Sequence, residues 1–351
     1  MKRYFSILLV AMVVFIITGC TNNQSKVVNT HGAVKTILQP FVQPYDSKRI
    51  AIIFSSKNIG KYAINATNTA MSYLISQDTD FHIEVFDIED EELETIENLF
   101  DTLNDKGISR LMVLLTHSGA QHLKHINNIN SYDIYLPLIH KNDLDLDRKS
   151  IIYGSIDYSK QLKELLQNTN NKYVEFHDNS PIGDRLAKHT TKQDIKLIYQ
   201  KELTNNNKEY ARFFKRRHKL LQHSTLIINM PIVKSSIVLS QINANEITPA
   251  RLLSTQINYS PLLLSLTQVH DRQNIRIANS IGKVSTTLEE YNALLDSDIV
   301  YNWVNYSTAI GMEYLLHKNI TTFEDISLEQ NQVQYPIEIY TTTKYSLKKL
   351  R

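Results

Sequence analysis

From residue 48 onward, short apolar runs of β-prone residues alternate with longer segments whose apolar residues recur at helical spacing, and this alternation most narrows the folds open to the 351-residue chain. "KRIAIIFSS" at 48 to 56 reads as a strand. It is followed by "NIGKYAINATNTAMSYLIS", which places Tyr62, Ala66, Ala70, Tyr73 and Leu74 at helical intervals. "FHIEVFDI" alternates Phe81, Ile83 and Val85 as a strand does. "EDEELETIENLFDTLNDKG" opens acidic, carries Leu93, Ile96, Leu99 and Leu103, and closes on Gly107, as a dipole-complemented and glycine-capped helix should. "ISRLMVLLT" is then a buried strand, "HSGAQHLKHINNI" a helix and "YDIYLPLI" another strand. Four strands separated by three helices predict a parallel sheet covered by helices on both faces.

The pattern then starts again. "GSIDYSKQLKELLQNT" is a helix, "NKYVEFHDNS" a strand, "PIGDRLAKHTTKQ" a helix with Pro181 near its start, and "IKLIYQKEL" a strand. "KEYARFFKRRHKLLQ" and "VKSSIVLSQINANEI" read as helices, "STLIINM" and "ARLLSTQIN" as strands. Two consecutive α/β units of about 110 to 130 residues each match the usual domain size. The tail differs: "LEEYNALLDSDIVYNWVNYSTAIGMEYLLHK" forms one or two helices, and "QVQYPIEIYTTTKYSLKKL" a β-hairpin.

The chain begins with Lys2 and Arg3, then the apolar stretch "FSILLVAMVVFIITGC" ending at Cys20, its one cysteine. A positive start and a short apolar run are the marks of a secretion signal. The run is short for a membrane span, which needs about 20 apolar residues. A lone thiol forms no internal disulfide and supplies too few ligands for a structural zinc site. The final residues Ile17, Thr18, Gly19 and Cys20 resemble the bacterial lipobox, which implies diacylation of Cys20 and cleavage before it. Residues 1–19 are then a signal peptide, and the polar, proline-containing segment 20–47 a tether from the membrane to the folded body. By the same resemblance, Thr21 favours sorting to the outer membrane.

Charge excludes one class of partner. The chain has 38 Lys and Arg against 36 Asp and Glu, and loss of Lys2 and Arg3 with the signal leaves the two signs equal. A nucleic-acid partner would require a basic excess or stripe. The local run "KRRHK" at 215 to 219 reads as the solvated face of a helix. Enzyme signatures are missing: no Gly-x-Ser-x-Gly elbow, no His-Glu-x-x-His pair and no phosphate-binding Gly-x-x-x-x-Gly-Lys loop occurs, so no catalytic residue and no cofactor is assigned. His117, His122 and His125 draw attention at metal-ligand spacing, but their segment has no carboxylate or cysteine to complete a site, and no metal is assigned.

The order of elements from about 48 to 345 resembles the type I periplasmic binding proteins, two-lobed α/β clamshells that include amino-acid receptors and lipoprotein activators of penicillin-binding proteins. The local signs are "RIAIIFSSKNIGKYAINATNTAMSYL" for the opening strand, loop and helix, and "LLTHSGAQHL" for the Gly-Pro-x-x-Ser-(Gly/Ala) loop after the third strand. "NKYVEFHDNSPIGDRLAKH" resembles the opening of the second lobe; "ITPARLLSTQINYSP" and "YNWVNYSTAIGMEYLL" resemble the late strand and the returning helix. The resemblance implies three inter-lobe crossings, near 153 to 160, 279 to 285 and 320 to 332. It thus implies a first lobe of 48–155 plus 282–325 and a second of 156–281 plus 326–351.

The same resemblance places a ligand cleft at the loops after the strands. Candidate ligand-binding residues are Ser55, Ser56 and Asn58 after the first strand, Thr116, His117, Ser118 and Gly119 after the third, and Asp178 in the second lobe. In amino-acid receptors the loop at "THSGA" offers a hydroxyl and backbone N–H groups to a carboxylate, a pattern Ser118 and Gly119 match, whereas His117 stands near the usual Pro. Asp178 is the nominee for an ammonium group, or else a helix cap. The expectation is a non-catalytic, lipid-anchored envelope protein that touches an envelope partner such as a peptidoglycan synthase. The alternative is a receptor that delivers an amino-acid-like solute to a membrane transporter.

Overall fold

The computed structural model describes residues 49–350 apart from 78–79, 168–171 and 205–206. The expected signal peptide, Cys20 and the tether lie outside the described residues. Among the described residues no helix is long and apolar enough to cross a membrane.

The strands in chain order are β1 (Arg49–Phe54), β2 (His82–Asp87), β3 (Arg110–Leu114), β4 (Asp133–Leu136), β5 (Ile151–Tyr153), β6 (Tyr173–His177), β7 (Leu197–Glu202), β8 (Thr225–Asn229), β9 (Arg251–Ser254), β10 (Ile275–Asn279), β11 (Ser327–Glu329), β12 (Gln332–Gln334), β13 (Glu338–Thr342) and β14 (Leu347–Lys349). They form two seven-stranded sheets, ordered β2-β1-β3-β4-β5-β12-β11 and β7-β6-β8-β9-β10-β13-β14. The first five strands of each sheet pair in parallel in the same order. The fold is therefore the two-lobed, mostly parallel α/β architecture that the alternation predicts.

Burial on both faces explains why the inner strands read as continuous apolar runs. In β1, Ile50, Ile52 and Phe54 enter one core with the helix Lys61–Ser76 and the helix Trp303–His317. Ala51 and Ile53 enter the opposite core with Ile96, Leu99, Phe100 and Leu103 of the helix Leu93–Asp105. In the second sheet, Val174 and Phe176 of β6 pack with Tyr210 and Phe214, while Tyr173 and Ile227 pack with Leu162 and Leu165. Tyr62, expected on the buried face of its helix, is 51% exposed, and Ala63 is buried instead.

The returning segment belongs with the first sheet. Thr69 donates to Asn292 Oδ1 at 2.7 Å and Ser72 to the Tyr291 carbonyl at 3.1 Å, fastening the helix Thr286–Leu294 to the helix Lys61–Ser76. Gly311 lets the helix Trp303–His317 lie on β4, since a Cβ there would stand 2.4 Å from the Tyr135 ring.

Three places depart from expectation. β5 and β10 occupy runs in which no strand was foreseen. The chain crosses between sheets at 154–157 and 280–285, but the third crossing falls at 335–337 rather than within 320 to 332. Residues 327–334, expected in the second lobe, form the antiparallel pair β11–β12, and Gln332 of β12 registers with Tyr153 of β5 in the first sheet. The turn joining that pair is only Gln330 and Asn331, both at positive φ (48° and 68°), as tight hairpin turns require. The expected hairpin of 332 to 350 is accordingly only β13–β14.

The crossings are tied to one another. Tyr335 of the third crossing donates its hydroxyl to the Gly154 carbonyl of the first, and Gln161 Nε2 donates to Ser280 Oγ of the second at 2.7 Å.

Candidate functional site

Each sheet reverses its order where helices leave for opposite faces, between β1 and β3 and again between β6 and β8, and the loops at those points line the crevice of such folds. The sequence candidates lie there. Ser55 follows β1 and is fully buried; its carbonyl accepts the N–H groups of Asn58 (3.1 Å) and Ile59 (3.0 Å), closing the short helix Ser56–Ile59. Its hydroxyl has no hydrogen-bond partner among the described residues. Ser56 donates its N–H to Asp87 Oδ1 at 2.9 Å, and the side chains of Ser56, Lys57 and Asn58 are exposed.

The loop after β3 is already occupied by a carboxylate of the chain itself. Glu91, from the segment between β2 and the helix Leu93–Asp105, is buried to 7% exposure. It accepts the Thr116 N–H at Oε1 (3.0 Å) and the Thr116 hydroxyl at Oε2. Thr116 in turn caps the helix His117–His122, accepting from the Gly119 N–H at 3.4 Å. Gly119 is needed because a Cβ there would lie 2.5 Å from Glu91 Oε2. His122 Nδ1 lies 2.8 Å from the Glu91 carbonyl and braces the same segment. Ser118, 2.9 Å from the Thr116 hydroxyl, points to solvent.

In the second sheet Asp178 is 1% exposed and its charge is matched: Lys234 Nζ donates to Oδ2 at 2.6 Å, and the Ser180 hydroxyl to Oδ1 at 2.5 Å. Burial pushes the Asp178 carboxyl up, but the Lys234 and Ser180 hydrogen bonds outweigh it and hold it below the ordinary range. Ser180, not Asp178, caps the helix Pro181–Thr191 by accepting from the Gly183 N–H at 3.1 Å.

Between the two sheets stands a polar cluster that the sequence candidates only touch. His117, from the loop after β3, has Nδ1 3.5 Å from Arg185 of the helix Pro181–Thr191 and Nε2 3.9 Å from Asp143. Asp143, from the loop after β4, lies 3.4 Å from His189 of that helix. His140 faces Asp157 of the first crossing at 3.7 Å. Arg185 also lies over the Tyr158 ring, whose edge meets Trp303. Burial and the Arg185 charge hold the His117 imidazole below its usual range; burial does the same to His140. Burial raises the Asp143 carboxyl, but His189, Arg185 and His140 together bring it below its usual range.

Glu91, Asp143, Arg185, His189 and Lys234 were not singled out from sequence. Glu91 sits in the acidic run "EDEELE", which reads as complement to a helix dipole, and nothing local separates the buried member from its exposed neighbours. His125 lies elsewhere, beside a hollow of about 550 Å³ lined also by Asn104, Lys124 and Arg148. His117, His122 and His125 therefore do not converge, and no metal-binding group of acids, histidines or cysteines occurs among the described residues.

No family model and no curated protein matches the sequence. Solved structures do. Haemophilus influenzae LpoA aligns at 9% identity and a TM-score of 0.58 over 89% of this chain and 60% of LpoA. The LpoA C-domain alone, described as a regulator of PBP1A, is covered in full at 9% identity and a TM-score of 0.57. A Thermus thermophilus branched-chain amino acid ABC transporter protein with bound valine aligns at 12% identity and a TM-score of 0.60 over 86% of this chain and 94% of that one. The chain thus has the type I periplasmic-binding-protein fold, and spans about 60% of the length of full LpoA.

Proposed function

We propose that this is a non-catalytic, lipid-anchored envelope protein whose clamshell body acts by contact with a partner protein, such as a peptidoglycan synthase, rather than by capturing a solute. The observation that carries the reading is the state of the ligand loops: Glu91 takes the Thr116 N–H and hydroxyl, and Lys234 takes the Asp178 carboxylate. A zwitterion entering the cleft would have to displace both internal partners, and each group so displaced would lose its bond in a buried setting, which costs several kcal/mol per charge. The likeness to the LpoA C-domain supports the same reading, because that neighbour is a regulator with this fold. The resemblance of residues 17–20 to a lipobox supports an anchor at Cys20 in the cell envelope, and Thr21 favours the outer membrane.

Isothermal titration with the common amino acids tests the proposal. The expected result is no heat above dilution. One amino acid that binds at micromolar affinity, and loses that affinity in Ser118→Ala or Asp178→Ala, establishes the transporter-receptor reading instead.

A further inference from the structure

The helix Asn207–Leu221 carries Lys208, Arg212, Lys215, Arg216, Arg217 and Lys219 against the single acid Glu209. It holds a formal charge of +5 in a chain whose whole net charge is +2, so the rest of the sequence is −3. The helix is fixed in rotation: Tyr210, Phe214 and Leu221 are buried in the core of the second sheet. Arg212, Lys215, Arg216 and Lys219 consequently fall together on the far side, all exposed. Their i, i+3, i+4, i+7 spacing makes one stripe about 10 Å long. Glu209 is already engaged by Lys201 at 3.3 Å and Thr204 at 2.7 Å, and Arg217 lies over the Tyr199 ring. The four stripe residues have no ion pair among the described residues.

We infer that this stripe is a docking surface for anionic phospholipid headgroups, and that it lays the second lobe against the membrane. The inference rests on the proposed anchor at Cys20. Between Cys20 and the start of β1 at Arg49 lie 28 residues, a length of chain that spans at most about 100 Å. A body so held meets the bilayer at high effective concentration. Cations near an anionic surface then each add modestly, and the attraction is confined to about a Debye length. A stripe on one fixed helical face suits a flat surface of like charges, since every cation can approach it at once.

The test uses the full lipidated chain in vesicles of phosphatidylglycerol and phosphatidylethanolamine, or of phosphatidylcholine alone. A fluorophore is placed on exposed Ala211 through Ala211→Cys; Cys20 does not compete for the label once lipidated. Quenching by a lipid-borne quencher should be about tenfold stronger in the anionic vesicles at low salt, and should fall when salt is raised. It should be lost in the combined variant Arg212→Glu, Lys215→Glu, Arg216→Glu, Lys219→Glu. It should persist when the exposed Lys124, Lys149, Lys344 and Lys348 are reversed instead, with circular dichroism confirming that both variants are folded. A chain that sediments with both vesicle types but quenches equally in them retains the anchor and refutes the stripe; a stripe that serves an acidic protein gives this result. A chain that sediments with neither refutes the anchor and the docking surface together.

Discussion

At residue scale, Glu91 fastens the loop after β3 from within the chain. Its two oxygens answer the N–H and the hydroxyl of Thr116, and Gly119 has no side chain because Glu91 fills that space. Truncation by Glu91→Ala should therefore leave two donors in a half-buried loop without a partner. The expected loss is about 1 to 3 kcal/mol of unfolding free energy, read as a lower denaturant midpoint with an unchanged slope. A variant as stable as the parent would show that Thr116 finds solvent easily and that Glu91 is incidental. The loops that hold these groups were legible in sequence, because strand and helix periods fix where each strand ends. Their internal partners were not: Glu91 lies 25 residues from Thr116 and Lys234 lies 56 from Asp178, separations at which only the folded chain makes neighbours.

At the scale of elements, the alternation of apolar runs placed nearly every helix and most strands, and two of the failures share a cause. β5 and β11 are three residues each, too short for any period to show, whereas β10 has five and was passed over. The β11–β12 turn was hidden because Gln330 is a poor advertisement for a positive-φ position. That misfit makes a prediction. Gln330→Asn should stabilise the protein by about 0.5 kcal/mol, since Asn tolerates left-handed backbone better than Gln. The Lys141 side chain bonds the backbone carbonyl of residue 330 and is retained by the change. A fall in melting temperature would show that the Gln side chain is needed there.

For the whole molecule, the issue is which groups link the two lobes across the space between the sheets. His117, His140, Asp143 and Asp157 come from the first lobe and the first crossing; Arg185 and His189 come from the second lobe. The imidazoles of His117 and His140 are held below their ordinary range in this arrangement, so the closed form takes up protons less readily than an open form with solvated histidines. Acidification through about pH 6.5 then favours opening, and closure is fully present above that range. Small-angle scattering should show a larger radius of gyration near pH 5 than near pH 7.5. The difference should shrink in His117→Gln combined with His140→Gln. A radius that stays constant over the range would refute this account of closure.

The position of β1 has a mechanical consequence. The chain enters the body at Arg49, the start of a strand held between β2 and β3, with partners running from Arg49 opposite His82 to Phe54 opposite Asp87. A pull on the residues before Arg49 is directed along that strand, so the hydrogen bonds on both of its edges are loaded together in shear instead of being peeled one at a time. Forced unfolding is governed by the barrier to the first rupture. A body pulled by its first strand in this way resists through the shear strength of a central strand and not through the weaker peeling of an edge.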